Sequence, residues 1–427
     1  MIGLSLGLGL VRRKARRAVR ALQVVGTRGE SYTSEVGARG STNNRNFART
    51  RHYIGNADVS ELRLAFQGYY LGATGEVDAT SPYTVRFNVE YNGMSVQGFF
   101  GGQRDGVVNP GEPCLISDAV LPATFGLEVF PKGAEVWIRA ERDFAVGANA
   151  MFHRTAAYQT PVPNERYLQG GVGSTTLNQL DTTGYPAASG GWTAVTHVWL
   201  PLCILGRPVT PMMAAGIIGA SIEFGEDDNA GDGSPDCNGG GYMRRALFDV
   251  KAARLTLAKG GETAKIFVES NAKRLIAMQY VTHAFAGHGG NDYSTGETVE
   301  ATITRFEQTW ALLKGAGIYH VEQISLSPKT NSTDGWATVG NQTPREGFET
   351  GGSWRSYART QIAAAIESDP NLDGFLDLED AQVDATFRDR WKAASTADGT
   401  HPNSGMHIAM ATQNTAHLET LRLAYEG

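Results

Sequence analysis

The sequence has few cysteines, no long apolar run and no large excess of charge of either sign. Its three cysteines, Cys114, Cys203 and Cys237, stand far apart, which excludes a disulfide framework and a zinc site built on closely spaced cysteines. No apolar stretch reaches about 18 residues, so the sequence predicts no membrane-spanning helix. With 38 basic and 44 acidic residues the formal net charge is -6, and we therefore expect no nucleic-acid partner for the chain as a whole.

Length and composition indicate folded domains instead. Hydrophobic residues make up 41% of the chain and charged residues 19%, as in ordinary globular proteins. Because a domain typically has about 100 to 200 residues, a chain of 427 residues favours two domains, each large enough for its own core. The 52 glycines indicate many turns.

Residues 1–45 differ in composition from the rest of the chain. Gly and Leu alternate at the start, and a basic stretch follows from Arg12 to Arg20 with no acidic residue before Glu30. A secretory signal carries its positive charge before the apolar stretch, so we expect no signal peptide here, and the sequence indicates no compartment. We interpret this basic N-terminal segment as a solvated tail. An anchor to an acidic surface or to a partner protein is the alternative.

Residues 46–207 have the pattern of an all-β domain. Residues 61–67 and 85–91 alternate apolar and polar side chains, as expected of strands with one face in a core. Further strands are predicted at 134–141 and 195–204, with turns rich in Gly, Pro and Asn between them, which favours an antiparallel β-sandwich or jelly roll. Several aromatic residues could stack on sugar rings, although we prefer a structural role in core and turns for them: Tyr69, Tyr70, Phe99, Phe100 and Trp192. We treat this region as an accessory domain of unknown ligand.

From residue 208 to the C-terminus the pattern changes to alternating strands and helices. Five apolar residues from Val299 to Leu313 recur at intervals of four and three, which places them on one helix face. Short apolar segments between such helices predict parallel strands in a doubly wound, flavodoxin-like α/β domain. Ligands are expected at the carboxyl ends of these strands. The predicted strands are 213–219, 253–258, 280–287, 321–327 and 374–378.

Residues suited to acyl transfer follow three of the predicted strands. Ser221 follows the first strand, Gly260 and Gly261 follow the second, and Asn291 follows the third. Since the carboxyl ends of parallel strands meet at one edge of a sheet, we expect these loops to open side by side. Backbone N–H groups and the Asn291 amide could there donate to an oxyanion.

A base and an acid for the serine are found near the end of the chain. Asp398 and His401 lie three residues apart, so one turn lets the carboxylate reach Nδ1 of the imidazole while Nε2 faces the Ser221 hydroxyl. Each of these residues alone could serve only to build a loop. Their order along the chain, each after a strand, favours a functional role.

Four blocks of the second region resemble the SGNH, or GDSL-type, hydrolase family. They are IIGASIEFG, LAKGGETA, GHGGNDYSTG and ADGTHPN, and the resemblance covers about residues 210–427. It implies a serine esterase in which Ser221 is the nucleophile, His401 the general base and then acid, and Asp398 the orienting carboxylate. The oxyanion donors that it implies are Ser221, Gly261 and Asn291, and the choice of Gly261 over Gly260 is a choice of register.

The first block departs from the family pattern. The family usually has Gly-Asp-Ser, whereas Ala220 precedes Ser221 here, which removes a carboxylate near the nucleophile. The G-x-S-x-G elbow of α/β-hydrolases is absent, because Glu223 stands two positions after the serine. In the following loop, residues 226–241, aspartates recur at 228, 232 and 236 without the spacing of a calcium-binding EF-hand. We expect a polar loop at the mouth of the site, with Cys237 not catalytic, and structural or surface roles for His283, His288, His407 and His417.

Together these features favour a carboxylic-ester hydrolase that acts through an acyl-serine on short-chain or acetyl esters. No metal or organic cofactor is expected. One alternative is a carbohydrate O-deacetylase whose β domain holds the glycan. Another is a non-catalytic, phage-like structural or binding protein with a degenerate hydrolase domain. The acyl length, the alcohol and the oligomeric state are not indicated by the sequence.

Overall fold

The chain has two regions that differ in sheet type. In the computed structural model, antiparallel sheets are built from strands up to Pro208, and a parallel sheet with helices begins at Ala214. The structure describes residues 21–153, 162–171, 174, 179–228, 240–351 and 353–427. The basic stretch from Arg12 to Arg20 therefore lies outside the described residues, as do Asp232, Asp236 and Cys237.

The first region contains two large antiparallel sheets. Its strands are β1 (Gln23–Val24), β2 (Ser34–Val36), β3 (Arg45–Tyr53), β4 (Val59–Phe66), β5 (Tyr69–Gly72), β6 (Gly75–Asp78), β7 (Tyr83–Tyr91), β8 (Met94–Gln97), β9 (Gly106–Val108), β10 (Leu115–Ile116), β11 (Glu135–Phe144), β12 (Ala150–Phe152), β13 (Arg166–Gly170), β14 (Thr193–Ala194) and β15 (Cys203–Pro208). One sheet has the order β1-β15-β4-β10. The other has the order β14-β13-β3-β11-β7-β8, with β9 also paired to β7. The pairs β2-β12 and β5-β6 form small ribbons.

Alternating apolar side chains account for the long strands and for the contact between the two sheets. In β7 the side chains of Val85, Phe87 and Val89 are buried. The Phe87 ring lies 6.3 Å from that of Phe66 in β4, which belongs to the other sheet. The same apolar cluster continues to Phe306 in the second region. A separate β-sandwich domain with limits at residues 46 and 207 therefore stays a prediction.

The interpretation of residues 1–45 as a solvated tail is wrong for the part that the structure describes from residue 23 onward. β1 pairs antiparallel with β15, and Val24 and Val25 are fully buried. Further along, Thr256 of the second region donates its N–H to the Gly29 carbonyl at 2.9 Å. The apolar side chains and the paired backbone explain why this segment packs between the two regions.

Two other expectations for the first region have different outcomes. The strand predicted over 195–204 occurs instead at Cys203–Pro208. It begins after Pro201 because proline has no N–H to donate to a neighbouring strand. Tyr69, Phe100 and Trp192 are buried, which agrees with structural roles for these aromatic residues. Phe99 remains exposed and Tyr70 half-buried.

The second region is built on a five-stranded parallel sheet. Its order is β17-β16-β18-β19-β22, with all pairs parallel, which is the 2-1-3-4-5 order of flavodoxin-like sheets. All five predicted strands occur, and each is shorter than expected. The strands are β16 (Ala214–Gly219), β17 (Ala253–Thr256), β18 (His283–Gly287), β19 (His320–Ile324) and β22 (Gly374–Leu376), with a hairpin of β20 (Thr330–Ser332) and β21 (Gln342–Pro344).

Helices connect these strands. The predicted amphipathic helix is confirmed as α6, in which Phe306, Trp310 and Leu313 are buried. None of the helices in the described ranges is both long and apolar enough to cross a bilayer. The helices are α1 (Ser221–Phe224), α2 (Tyr242–Asp249), α3 (Ala264–Glu269), α4 (Ala272–Met278), α5 (Gly290–Ser294), α6 (Val299–Gly315), α7 (Trp354–Ser368), α8 (Glu379–Gln382) and α9 (Ser404–Glu426).

Candidate active site

The site lies at the carboxyl edge of the parallel sheet, where the strand order reverses between β16 and β18. Ser221 is the first residue of α1, two positions after β16 ends. Asn291 lies in α5, which follows β18. In doubly wound sheets the loops on either side of such a switch point diverge and leave a crevice between them. The fold therefore places Ser221 and Asn291 at the edge that the sequence predicted.

A chain of two hydrogen bonds joins Ser221, His401 and Asp398. The Ser221 Oγ lies 2.9 Å from His401 Nε2. On the other side of the ring, His401 Nδ1 lies 2.7 Å from Asp398 Oδ2. If Nδ1 carries the proton and donates it to Asp398, Nε2 is left free to accept the serine proton.

The charges around His401 favour its protonated form. Burial alone lowers the pKa of His401, but the hydrogen bond and the negative charge of Asp398 outweigh it, with Asp227 and Glu226 contributing, so that the net pKa is raised. Burial raises the pKa of Asp398, whereas its bonds to His401 and to two backbone N–H groups hold it well below the ordinary range. The carboxylate therefore stays ionised throughout the range in which His401 titrates.

The loop that carries the acid and the base is held in place from two sides. Asp398 Oδ1 accepts hydrogen bonds from the N–H groups of Thr400 and His401, at 2.7 and 2.8 Å. The Arg345 guanidinium donates to the Asp398 carbonyl at 2.8 Å and to the Thr400 hydroxyl at 3.0 Å. Arg345 lies just after β21, and no sequence pattern marks it because its role depends on tertiary contact.

Several donors near Ser221 are available to an oxyanion. Among the described residues, the N–H groups of Ser221, Gly260 and Gly261 donate no hydrogen bond to a backbone carbonyl. A Cβ built on Gly260 would lie 4.0 Å from the Ser221 Cβ, whereas one built on Gly261 would meet no atom within 4 Å. Asn291 Nδ2 donates one hydrogen to the Glu262 carbonyl at 3.1 Å and keeps a second hydrogen. Gly260 is thus as strong a candidate donor as Gly261.

Buried polar contacts tie the loop after β17 to the loop after β18. The Asp292 carboxylate accepts hydrogen bonds from the N–H groups of Ala264 and Lys265 at 3.0 and 3.3 Å. Glu262 Oε2 lies 2.8 Å from Arg274 Nη1 and 3.1 Å from His288 Nε2. These contacts hold the backbone on which the Gly260 and Asn291 donors lie, and His288 has here the structural role expected from the sequence.

A small cavity opens beside the serine. Its volume is about 40 Å³, and its lining includes Ser221, Asn291, Ser327, Lys329 and Thr400. Lys329 also lines a wider neighbouring groove of about 440 Å³, together with Tyr293, Glu297, Arg345, Glu346 and Phe348. A larger apolar groove of about 610 Å³ lies between α3, α4 and α6 and shares no lining residue with the serine cavity.

Lys329 is a cation at this site that the sequence analysis did not single out. Its Nζ donates to the Gly290 carbonyl and to the Ser294 hydroxyl, both at 2.9 Å. Burial, followed by the charge of Arg345, lowers the pKa of Lys329 to about 8. Because Lys329 follows β19, the rule that pointed to Ser221 and Asn291 at strand ends could have identified it as well.

One cluster of described residues has the geometry of a cation site. Asp227, Asp398 and His401 each offer one ligand atom, and these atoms lie within 4.8 Å of one another. A cation there would compete with the hydrogen bonds of His401. Asp228, by contrast, is buried against Arg245 at 2.7 Å and accepts the Gly241 N–H, which is a structural role.

The other histidines named from the sequence have structural partners. His283 lies 2.8 Å from Thr282 Oγ1, and His417 Nε2 lies 2.7 Å from Glu322 Oε2. His407 accepts the Tyr242 N–H and reaches the Glu226 carbonyl. His288 contacts Glu262, as described above.

Comparisons with known proteins give weak likenesses. No protein-family model matches the chain, and no curated protein matches it. A member of the lipolytic protein G-D-S-L family from Veillonella parvula DSM 2008 is 16% identical and covers 48% of this chain and 97% of its own, with a TM-score of 0.34. A family two carbohydrate esterase from Clostridium thermocellum in complex with cellohexaose is 11% identical and covers 95% of this chain and 100% of its own, with a TM-score of 0.37. At these TM-scores the likenesses do not establish a family for the chain.

Proposed function

We propose that the protein is a carboxylic-ester hydrolase that forms an acyl intermediate on Ser221. The observation that carries this proposal is the pair of contacts from Ser221 Oγ to His401 Nε2, 2.9 Å, and from His401 Nδ1 to Asp398 Oδ2, 2.7 Å. A hydroxyl, an imidazole and a carboxylate in this order form the arrangement that activates a serine nucleophile.

The reaction would proceed in two acyl transfers. His401 Nε2 accepts the Ser221 proton as Oγ attacks the ester carbonyl, and the oxyanion accepts hydrogen bonds from the Ser221 N–H, from Gly260 or Gly261, and from Asn291 Nδ2. His401 then donates the proton to the departing alkoxide, leaving the acyl-serine. A water molecule deprotonated by His401 attacks the acyl carbonyl, and the collapse of the second tetrahedral intermediate returns the proton to Ser221.

The size of the cavity favours a small acyl group. A cavity of about 40 Å³ has room for only a few water-sized groups. That volume is enough for an acetyl group. Longer acyl chains would have to displace lining residues such as Ser327. We therefore propose that acetyl and other short-chain esters are the substrates.

A second candidate function is the O-deacetylation of carbohydrates. The groove beside the serine cavity combines the half-buried aromatic ring of Tyr293 with carboxylates and with Lys329, a set that can stack on a sugar ring and bond its hydroxyls. On this hypothesis the alcohol part of the ester lies in that groove. The sequence-based alternative had placed the glycan in the β region.

Two measurements test these proposals. The first is hydrolysis of p-nitrophenyl esters from acetate to octanoate, for which we expect kcat/KM to be highest for acetate and to fall with chain length. The second is labelling by a fluorophosphonate, with the adduct located by peptide mass spectrometry and expected on Ser221. Absence of both turnover and labelling would favour the non-catalytic alternative.

A comparison of substrates separates the two enzymatic candidates. An acetylated oligosaccharide should be preferred over p-nitrophenyl acetate by a deacetylase, and Glu346→Gln, at a residue that lines the groove but not the serine cavity, should weaken only the oligosaccharide reaction. Equal loss for both substrates would argue against a sugar in the groove.

A further inference from the structure

Glu223 is a buried acid that the proposed mechanism does not use, although it lies two residues from the nucleophile. Its side chain is 5% exposed and lines the serine cavity. Glu223 Oε2 accepts the Ala220 N–H at 3.1 Å, and Oε1 accepts the Tyr242 hydroxyl at 3.2 Å. The carboxylate is thus held by the residue before Ser221 and by α2.

The ends of two strands leave space for this side chain. A Cβ built on Gly219, at the end of β16, would lie 2.7 Å from Glu223 Cγ, and one built on Gly287, at the end of β18, would lie 2.2 Å from Glu223 Cδ. Gly219 also has a φ of 153°, which few other residues adopt. Glycine at both positions is therefore required for Glu223 to lie between the strands that carry Ser221 and Asn291.

Glu223 supplies a carboxylate close to the position where the sequence lacks one. Ala220 stands where the resembled family has an Asp directly before the serine. In the first turn of a helix, Asp at the N-cap accepts the N–H of the third residue, whereas Glu at the third position accepts the N–H of the N-cap residue. Either carboxylate therefore closes the same turn, from its opposite ends. We propose that ionised Glu223 is a positioning residue that replaces this missing carboxylate and fixes the turn that presents Ser221, an inference that rests on the proposed esterase function.

The charge state of Glu223 should matter at neutral pH. Burial raises the pKa of Glu223 to about 7, against the opposing effect of its own N–H and that of Ala220. The titratable groups that face it are Tyr242 from α2 and His288 after β18, and Lys329 lines the same cavity. The ionised carboxylate accepts from both Ala220 and Tyr242, whereas the protonated acid has one acceptor position fewer.

The first test compares pH profiles of kcat/KM for p-nitrophenyl acetate in the wild type and in Glu223→Gln. Two groups, His401 and Glu223, must lose a proton in the wild type, so the acidic limb of log kcat/KM should approach a slope of about 2. In Glu223→Gln the slope should fall to about 1, and kcat/KM on the alkaline plateau should fall about 10- to 100-fold because the turn is held less well. Glu322→Gln, which alters a buried carboxylate of β19 away from the serine cavity, should keep the wild-type slope. Identical slopes in wild type and Glu223→Gln would overturn the proposal.

The second test measures the rate of fluorophosphonate labelling at Ser221, with folding followed by near-UV circular dichroism. We expect Glu223→Ala to be labelled at about one tenth of the wild-type rate or below. The double variant Ala220→Asp with Glu223→Ala should be labelled faster than Glu223→Ala, because Asp at the N-cap bonds the N–H of residue 223. No gain in the double variant would contradict the replacement. If Glu223→Ala does not fold, the slope of Glu223→Gln decides alone. A wild type that is neither labelled nor active would instead refute the esterase proposal itself.

Discussion

Charged and polar groups are arranged differently in the two regions of the molecule. In the antiparallel region, Glu90 of β7 bonds Arg49 of β3 at 2.8 Å and Arg139 of β11 at 2.9 Å, and accepts the Gly184 N–H at 2.8 Å. Arg139 also donates to the carbonyls of Gln179 and Gly184 and to the Thr182 hydroxyl. This cluster is buried and its donors are largely satisfied.

At the edge of the parallel sheet, donors remain available instead. Among the described residues the N–H groups of Ser221, Gly260 and Gly261 donate to no backbone carbonyl, and the Asn291 amide keeps one hydrogen. Ser221 and Asn291 line the serine cavity, where a bound oxyanion could accept hydrogen bonds from their donors. The difference indicates that the ionic cluster of the first region holds the fold together, whereas the donors at the sheet edge are open to a substrate.

The largest expected effect comes from removing the nucleophile. Ser221→Ala should lower kcat for p-nitrophenyl acetate by about 10⁵- to 10⁶-fold, because the remaining groups cannot form an acyl-enzyme. The free energy of unfolding should change little, as measured by urea denaturation. Ser368→Ala, at the exposed end of α7, serves as the control. Substantial turnover by Ser221→Ala would contradict the assignment of Ser221 as the nucleophile, and the sheet edge could then no longer be contrasted with the β region as the site of chemistry.

The next largest effect is expected from Asp398→Asn. Loss of the carboxylate should lower kcat by about 10³- to 10⁴-fold, because the imidazole is no longer held in the productive tautomer. Since the charge of Asp398 raises the pKa of His401, the acidic midpoint of the kcat/KM profile should also move to lower pH. The exposed Asp380→Asn is the control. A midpoint that stays in place or rises would contradict the assigned partner of His401.

The residues of the site differ in how far sequence could predict them. Ser221, Asn291, Asp398 and His401 could be found because each lies in a recognisable block, and three blocks follow apolar strands that end at one edge. The choice between Gly260 and Gly261 could not be made from sequence, since the two differ by one residue in a turn, and the structure keeps both as candidate donors, with Gly260 the nearer to Ser221.

Other features depend on contacts between distant parts of the chain. Arg345 reaches Asp398 across 53 positions, and Arg274 of α4 reaches Glu262 in the loop before α3, with no periodic pattern to mark either. In the first region β1 has only two residues and pairs with β15 far along the chain, so alternation could not indicate it. By contrast, α6 is long enough for its period to be unambiguous.

Asn291→Ala tests whether the available donors act in catalysis. Loss of one oxyanion donor should lower kcat by about 10²- to 10³-fold with little change in KM, because the contact forms only as charge develops on the carbonyl oxygen. Asn341→Ala, which removes an exposed amide, should leave both constants unchanged. A rise in KM alone would show that Asn291 binds the ground state and would weaken the distinction between the two regions.

Glu90→Gln tests the opposite side of the comparison and should affect stability alone. Breaking a buried ion pair from one side leaves Arg49 and Arg139 without their counter-charge, which should lower the free energy of unfolding by about 3 kcal/mol while kcat stays at the wild-type value. Burial raises the pKa of Glu90, but the bonds to Arg49, Gly184 and Arg139 lower it below the ordinary value, so its stabilising effect is present above the unfolded pKa and is lost as pH falls through the folded one. The stability deficit of Glu90→Gln should therefore be full at pH 7 and shrink in acid, as urea denaturation across pH can measure.

Glu128→Gln, on the exposed surface, should stay within about 0.5 kcal/mol of the wild type at every pH. A loss of kcat in folded Glu90→Gln would show that the ionic cluster of the β region contributes to the reaction, and the two regions could then no longer be separated into structure and chemistry.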